Sequence, residues 1–323
     1  MNIKKVYCYS PEGDFIEEYK SARELDGIYK LYPDTFRKHI DTNRVYKGHL
    51  WSYTKKDDYF DWAKRKPKVL IFDIETAPLH GLFWRVWKEN ISPVQLLDDW
   101  FMLTWAAKWL GDVEVISDGL SSKEALNKDD RRIIETLWSL IDKADVVIAH
   151  NAKRFDVPKM NSRFLKYDFD PPSPYRMIDT LVVVKRKFGQ THNSLNALAQ
   201  FLGLDVKLDT DFTLWKRSIN GEKQALQDML EYNEKDVEIL EDAYSRLRKW
   251  IDSHPNLALY YEDEEERCHR CGSENIQWTG DFYYTPTRKY QVYKCRDCGG
   301  LGRSRHTALS KEKSESINSP IAR

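Results

Sequence analysis

The chain has 323 residues, more than the roughly 100–200 of one ordinary domain, so its length predicts several modules. A composition of 41% hydrophobic and 32% charged residues is typical of a globular protein and excludes the disordered and membrane-embedded classes. No apolar run approaches the roughly 20 residues of a membrane span, and the start MNIKKVYCYS lacks the apolar region of a signal peptide. We therefore expect a cytoplasmic protein that has no membrane partner.

The formal net charge is zero, but the charges are spread unevenly along the chain. Residues 1–66 carry 14 Lys and Arg against 11 Asp and Glu, and residues 267–323 carry 11 against 5. The segment between them carries 26 against 35. Basic ends around an acidic centre suit a protein that holds a polyanion at its edges and cations in its middle.

The first module, residues 1–55, reads as a small α+β unit. KVYCYSPEGDFIEEYK has alternating segments on either side of a turn, the pattern of a β-hairpin. Ser21, with Glu24 three residues later, predicts a short helix that starts with a capping box. A second short helix is predicted from Pro33, and YKGHLWSY is predicted to close the unit as a strand. Residues 56–67 are then expected to form a polar linker.

This module resembles the nuclease-associated modular domains of homing endonucleases, in which a hairpin and a small helix-turn-helix unit bind DNA. The matching features are the turn glycine Gly13 and the segments SARELDGI, DTFRKHI and YKGHLWSY. The resemblance implies DNA binding, with Arg37, Lys38 and Lys47 as the candidate contacts. The alternative is a small domain with a mixed-charge surface and no role in binding.

The second module, residues 68–254, reads as an α/β domain with a mixed sheet flanked by helices. Three strand-like segments, KVLIFDIE, WFMLTWAAKW and DVEVISDG, are followed by alternating helices and strands. The predicted helices are KDDRRIIETLWSLIDKA, residues 157–167, NSLNALAQFLGL and residues 223–252, and DVVIAHN is a further strand. The tryptophans Trp84, Trp87, Trp100 and Trp105 could stack unpaired bases, but we interpret them as core residues.

Acidic residues in apolar surroundings distinguish this module. Asp73 and Glu75 lie two residues apart in KVLIFDIETAP, so their side chains project from one face of a strand. Asp156 begins a predicted helix, where a plain N-cap is the alternative, and Tyr232 and Asp236 share one face of the last helix. Buried charges are costly unless they are paired or bound to metal, and oxygen ligands suit Mg²⁺ or Mn²⁺. We therefore expect two divalent cations at these side chains.

Three segments in order, FDIET, HNAKRFDVPKM and YNEKDV, resemble the exonuclease motifs of the DEDD superfamily, in its tyrosine subgroup. The resemblance covers the whole second module and implies a ribonuclease H-like fold and 3′–5′ exonuclease activity. It implies that Asp73 bridges both cations, that Glu75 and Asp236 complete the first site, and that Asp156 holds the second cation. Tyr232 would orient or help to deprotonate the attacking water, and the product would be a nucleoside monophosphate.

Residues beside these motifs carry weaker signals. His150 and Asn151 either line the pocket or simply end a strand. Lys153 and Arg154 either contact phosphate or lie on the surface, and Asn151 joins them as a candidate nucleic-acid contact. Asp179, in MIDTL, resembles a recurrent feature of the same superfamily, but we assign it no ligand role.

The third module, residues 267–305, contains two CxxC pairs, Cys268 with Cys271 and Cys295 with Cys298. Clustered pairs in a chain without an export signal indicate a metal site rather than disulfides, and four thiolates suit tetrahedral Zn²⁺. The module resembles a zinc ribbon with one structural Zn²⁺, and its basic residues suit phosphate contacts, with protein docking as the alternative. Residues 255–266 are expected to be an acidic linker and residues 306–323 a disordered tail.

These features together favour a metal-dependent 3′–5′ exonuclease that acts on DNA by a two-metal-ion mechanism. The alternatives are an RNA exonuclease or structure-specific endonuclease on the same fold, and a non-catalytic nucleic-acid-binding adaptor. The complete carboxylate set argues against the adaptor, because an idle protein has no physical reason to keep mutually repelling carboxylates. The combination of modules suggests a phage or mobile-element protein, active in the cytoplasm of a bacterial host, with replication or recombination proteins as candidate partners.

Overall fold

The computed structural model describes residues 4–11, 13–41, 45–55, 66–204, 210–261, 263 and 265–319. The chain divides into two compact units, residues 1–66 with 259–264 and residues 67–258 with 265–323. Most of the predicted linker at residues 56–67 lies outside the described residues. Among the described helices, none has both the length and the apolar character needed to cross a membrane.

The first unit contains a three-stranded antiparallel sheet and one α-helix. The elements are β1 (Val6–Tyr9), β2 (Phe15–Tyr19), α1 (Ala22–Ile28) and β3 (Leu50–Ser52), with β1 in the centre of the sheet. The hydroxyl of Ser21 accepts a hydrogen bond from the N–H of Glu24, as predicted. The Glu24 carboxylate accepts from the N–H of Lys20 rather than from that of Ser21, so the capping box is only half formed.

The second short helix predicted in this unit is only a 3₁₀ turn, Phe36–His39. The Asp26 carboxylate accepts hydrogen bonds from the N–H groups of Asp34 and Phe36, each at 2.8 Å. Asp34 has a φ of +62°, a left-handed conformation that an α-helix does not contain. The chain therefore turns around the Asp26 side chain instead of starting a helix at Pro33.

The central part of the second unit is a mixed five-stranded sheet. Its strands and a separate two-stranded pair, in chain order, are β4 (Val69–Thr76), β5 (His80–Gly81), β6 (Leu96–Asp98), β7 (Met102–Trp109), β8 (Ile116–Gly119), β9 (Val146–Ala149) and β10 (Arg176–Asp179). The order in the large sheet is β10-β9-β4-β7-β8. β10, β9 and β4 are parallel, whereas β7 and β8 pair antiparallel. β4, which carries Asp73 and Glu75, is thus the central strand.

Seven helices of the described chain surround this sheet: α2 (Ser122–Asn127), α3 (Arg131–Ile141), α4 (Asp156–Lys166), α5 (Thr180–Lys187), α6 (Leu195–Leu202), α7 (Phe212–Ile219) and α8 (Lys223–Leu247). They confirm the predicted α/β class. The sequence patterns did not predict α2 or α7, and they left the segment that forms β10 and α5 unassigned. The prediction also extended α8 too far, because a 3₁₀ turn, Arg248–Trp250, follows Leu247.

The four tryptophans interpreted as core residues have very different environments. Trp105 on β7 is buried, with its indole N–H donating to the carbonyl oxygen of Ile133 at 2.7 Å. Trp84 and Trp87 are 93% and 81% exposed, so the core interpretation was wrong for both. Both lie between β5 and β6, where they belong to neither the large sheet nor a helix that packs on it. Trp100 is partly buried, with the Lys159 ammonium 3.7 Å from its ring centroid.

The cysteine-rich module forms its own three-stranded antiparallel sheet: β11 (Ile276–Tyr284), β12 (Lys289–Cys295) and β13 (Leu301–Arg303), with β12 in the centre. The buried guanidinium of Arg270 donates to the carbonyl oxygen of Ile251, just after α8, and to that of Leu301. The N–H of Leu257 donates to the carbonyl oxygen of His269 at 2.7 Å. These bonds tie the cysteine-rich sheet to the chain that follows α8. A short exposed helix, α9 (Lys311–Glu315), lies within the segment predicted to be disordered.

A buried ion pair joins three elements of the central domain. Asp130, at the start of α3, is fully buried and pairs with the guanidinium of Arg163 on α4. The hydroxyl of Tyr167 donates to the same carboxylate at 2.5 Å, and the N–H of Met102 on β7 donates to it at 2.8 Å. This network fixes α4, whose first residue is Asp156, against the sheet.

We expect Arg163→Met to lower the free energy of unfolding by about 3–5 kcal/mol, because it leaves the Asp130 charge buried without its cation. Lys166→Met, an exposed change on the same helix, should alter the stability by no more than about 0.5 kcal/mol. Urea denaturation followed by tryptophan fluorescence measures both effects. Equal stability of the two variants would contradict a structural role for the ion pair.

Candidate active site

Three carboxylates from two elements meet at the centre of the sheet. Asp73 and Glu75 point to the same side of β4, and Asp236 reaches them from α8, which packs across β4 and β7. One ligand oxygen from each residue lies within 4.8 Å of the other two. Oxygens that share one Mg²⁺ at about 2.1 Å lie at most about 4.2 Å apart, so small side-chain rotations suffice to bind an ion.

Asn233 orients this group, and the sequence-based prediction missed it. Its amide nitrogen donates to a carboxylate oxygen of Asp73 at 2.7 Å, and its amide oxygen accepts from the hydroxyl of Thr104 at 3.2 Å. Thr104 lies on β7 directly opposite Glu75 on β4. One sequence signal could have identified Asn233: it lies three residues before Asp236 and therefore on the same buried face of the helix. Its partners depend on how β4, β7 and α8 pack.

Asp156 is the first residue of α4 and is almost fully buried, with 1% of its surface exposed. Neither of its carboxylate oxygens meets the geometry of a hydrogen bond with a described residue, so it does not cap the helix. Burial raises the pKa of Asp156 to about 7, the charge of Asp179 adds to the rise, and the nearby N–H of Ile74 partly offsets it. The Ile74 contact places Asp156 beside β4, although it is not one of the three clustered carboxylates.

Tyr232 is on the predicted face of α8 but opens to a different cavity. It is 8% exposed, and its ring packs edge-on against Trp215 with 6.0 Å between centroids. It lines a cavity of about 540 Å³ that also borders Thr76, Trp100 and Lys159. Glu75 and Thr76 are consecutive on β4, but no described residue lines both this cavity and the one that contains the three carboxylates.

The cavity that contains the three carboxylates has a volume of about 570 Å³ and a polar opposite wall. His150 and Asn151 both line it, as does the segment from Thr191 to Leu195. The ring of His150 connects this wall to the start of α5, because its Nε2–H donates to the carbonyl oxygen of Asn193 and its Nδ1 contacts the Thr180 hydroxyl. These residues line the site and are not part of the cluster of three carboxylates.

The remaining candidate contacts to nucleic acid are exposed side chains. Arg37 and Lys38 lie on the 3₁₀ turn of the first unit. Lys47 has a positive φ, and its ammonium lies 5.8 Å from the ring centroid of Tyr46. Lys153 and Arg154 lie between β9 and α4 and border a small second cavity. All five stay predictions of nucleic-acid contact.

The four cysteines of the C-terminal module lie together. Their sulfurs are within 4.8 Å of one another, with Cys268 Sγ 3.7 Å from Cys298 Sγ and Cys271 Sγ 3.6 Å from Cys295 Sγ. Four sulfurs arranged tetrahedrally at about 2.3 Å from a zinc ion lie about 3.8 Å apart, whereas a disulfide needs about 2.05 Å. The spacing therefore fits a zinc ribbon and not a pair of disulfides.

Comparison with known proteins bears on the central domain. Residues 113–248 match the family model RNase_H_2 of the RNase_H superfamily, a range that includes Asp156, Tyr232 and Asp236 but not Asp73 or Glu75. This match and the mixed five-stranded sheet confirm the predicted ribonuclease H-like fold.

Among solved structures, the chain is similar to the family B DNA polymerase of the hyperthermophilic archaeon Pyrobaculum calidifontis, with a TM-score of 0.41 and 15% identity. The alignment covers 64% of this chain and spans 28% of the polymerase chain. No curated protein matches the sequence.

We expect Asn233→Leu to weaken Mn²⁺ binding by about 10–100-fold, because Asp73 then loses the donor that orients it. Gln227→Leu, an exposed change on the same helix, should leave Mn²⁺ affinity unchanged. Isothermal titration calorimetry on folded protein measures both affinities. Unchanged affinity in Asn233→Leu would show that Asn233 does not position the carboxylate.

We expect purified protein to contain one zinc per chain, and Cys295→Ser to lose it, because three thiolates and a hydroxyl no longer complete the tetrahedral set. Cys8→Ser is the matched control, since Cys8 lies on β1 of the first unit and is not one of the four clustered cysteines. Elemental analysis by mass spectrometry measures the ratio of zinc to protein in each sample. A zinc-to-protein ratio near zero in the unaltered protein would refute the Cys₄ site.

Proposed function

We propose that this protein is a metal-dependent 3′–5′ exonuclease that shortens DNA and releases nucleoside monophosphates. The observation that carries the proposal is the convergence of Asp73, Glu75 and Asp236 on the central strand of a ribonuclease H-like domain. That fold supports a nuclease. The polarity rests on the resemblance of the three motifs to DEDD exonucleases, and DNA as substrate rests on the resemblance of the first module.

The proposed ligand set is Asp73, Glu75 and Asp236 for one divalent cation, and Asp73 with Asp156 for a second. When bound, two Mg²⁺ or Mn²⁺ ions would lower the pKa of the attacking water and offset the charge on the reacting phosphate. Asn233 restrains Asp73, the residue proposed to serve both cations, by donating to one of its carboxylate oxygens. Asp156, desolvated and beside β4, is suited to a cation that compensates its buried charge.

The reaction adds one water molecule across a phosphodiester bond. The water oxygen forms a new bond to phosphorus, the P–O3′ bond breaks, and a proton ends on the 3′ oxygen of the shortened strand. We assign Tyr232 to orient the attacking water. This role rests on the resemblance of YNEKDV to the third DEDD motif, because Tyr232 lies one helical turn before Asp236 but lines the neighbouring cavity.

The flanking modules are assigned to substrate binding and stability. Arg37, Lys38 and Lys47 give the first unit an exposed basic surface, which supports DNA binding through phosphate contacts. The C-terminal module would hold a structural Zn²⁺ through its four cysteines. Its attachment through Arg270 and Leu257 supports a fixed extension of the nuclease domain rather than a freely tethered one.

We expect the protein, with Mg²⁺ or Mn²⁺, to shorten 5′-labelled DNA step by step and to release the terminal label of 3′-labelled DNA as a mononucleotide at once. EDTA and Asp236→Asn should each reduce the reaction to background, because either change removes part of the cation site. Asp242→Asn, an exposed change on the same helix, should retain full activity. Gel electrophoresis of labelled single- and double-stranded DNA and RNA measures the products.

Results other than these would each contradict a particular part of the proposed function. Shortening of RNA but not of DNA would make RNA the substrate. Cleavage at internal bonds would identify the protein as a structure-specific endonuclease. Tight binding without turnover on every substrate would support the adaptor. Equal activity of Asp236→Asn and Asp242→Asn would contradict the proposed site.

A further inference from the structure

A second, basic cavity adjoins the carboxylate cavity. It has a volume of about 250 Å³ and is bordered by the cationic residues Lys153, Arg154 and Lys185. Asn151, Leu181 and Lys185 line both cavities, so the two share a wall. A ligand in the carboxylate cavity therefore lies next to the basic one.

The three cationic side chains are available to a ligand. Each is exposed, and none forms an ion pair with a carboxylate of the described chain. Lys187, two residues after Lys185 on α5, shows the contrast, because its ammonium pairs with Asp252. Three cations around one small cavity repel one another, and an anion at that point would relieve the repulsion.

The one carboxylate that borders the basic cavity, Asp179, is directed at backbone groups. It accepts hydrogen bonds from the N–H groups of Asn151 at 3.2 Å, Lys153 at 3.0 Å and Val182 at 3.2 Å. Asn151 has a φ of +78°, and the turn it makes places Lys153 beside the start of α5. Asp179 thus holds the basic residues in place and does not form an ion pair with them.

The structure of a DNA 3′ end limits which phosphate of the strand could bind in this cavity. A 3′-terminal nucleotide has one phosphate, the one that is cleaved, and beyond it only a hydroxyl. Any second phosphate bound next to the cleaved one must therefore belong to the 5′ side of the strand. Lys and Arg are the side chains that most often contact nucleic-acid phosphates.

We propose that Lys153, Arg154 and Lys185 bind the phosphate that lies immediately 5′ of the cleaved one. This inference rests on the proposed function, since it takes the carboxylate cavity to hold the scissile phosphate. It assigns Lys185 a role in substrate binding. It also predicts tighter binding of a strand with a further 5′ phosphate than of a fragment that lacks one.

Two dinucleotides that differ by one phosphate test the inference. TpT contains only the scissile phosphate, whereas pTpT contains in addition the phosphate on its 5′ side. The unaltered protein should bind pTpT about 10-fold more tightly than TpT, the range of a charge-assisted contact. Calorimetric titration with Ca²⁺ in place of Mg²⁺ measures binding without relying on turnover.

The double variant Lys153→Gln/Arg154→Gln, in which both altered residues border only the basic cavity, should bind TpT as the unaltered protein does but lose most of the preference for pTpT. The matched control is Lys143→Gln/Lys166→Gln, which removes two exposed lysines that border neither cavity and should retain the preference. For longer strands, the slope of log affinity against log salt should become shallower by about 0.7 for each phosphate that the double variant no longer binds.

The possible outcomes separate this inference from the proposed function. Equal affinity of the unaltered protein for pTpT and TpT, or an unchanged preference in the double variant, would overturn the inference and leave exonuclease activity standing. Cleavage of neither dinucleotide with Mg²⁺ would count against the proposed function, while the Ca²⁺ titration would still decide the phosphate site. Binding of an acidic peptide but not of pTpT would assign the cavity to a protein partner instead.

Discussion

Several carboxylates held close together in partly desolvated surroundings repel one another and favour protonation unless a cation compensates them. The central domain is organised around this constraint. Asp73 and Glu75 occupy the central strand of the sheet, and Asp236 is buried against them on the longest helix of the described chain. Asp156 is desolvated so strongly that its pKa rises to about 7. Bound cations would offset this repulsion.

Most of the surrounding structure holds these groups in position. Asn233 donates a hydrogen bond to Asp73 on β4 and accepts one from the hydroxyl of Thr104 on β7. The pairing of β4 with β7 therefore helps to fix the orientation of Asp73. The ion pair of Asp130 with Arg163 fixes α4 and hence Asp156. Asp179 organises the adjoining basic cavity through backbone bonds. A carboxylate cluster thus lies beside a basic cavity, an arrangement that suits a polyanionic substrate.

Local periodicity explains what the sequence could predict. Alternation along a strand places Asp73 and Glu75 on one face, and a spacing of four places Tyr232 and Asp236 on one helix face. Convergence of the two elements, the roles of Asn233 and Arg163, and the separate cavity beside Tyr232 all depend on contacts between distant segments. Trp84 and Trp87 were assigned to the core from residue type alone. Residue type does not show whether a tryptophan lies in a buried strand or, as these two do, in an exposed segment between β5 and β6.

The central claim is that these carboxylates hold two divalent cations. The most direct measurement is the number of Mn²⁺ ions bound per chain, by electron paramagnetic resonance, in the presence of saturating thymidine monophosphate. We predict two ions in the unaltered protein, one in Asp156→Asn, and none in Asp73→Asn, because Asp73 serves both sites. Two ions in all three proteins would place the cations elsewhere, and none in the unaltered protein would contradict a two-cation centre.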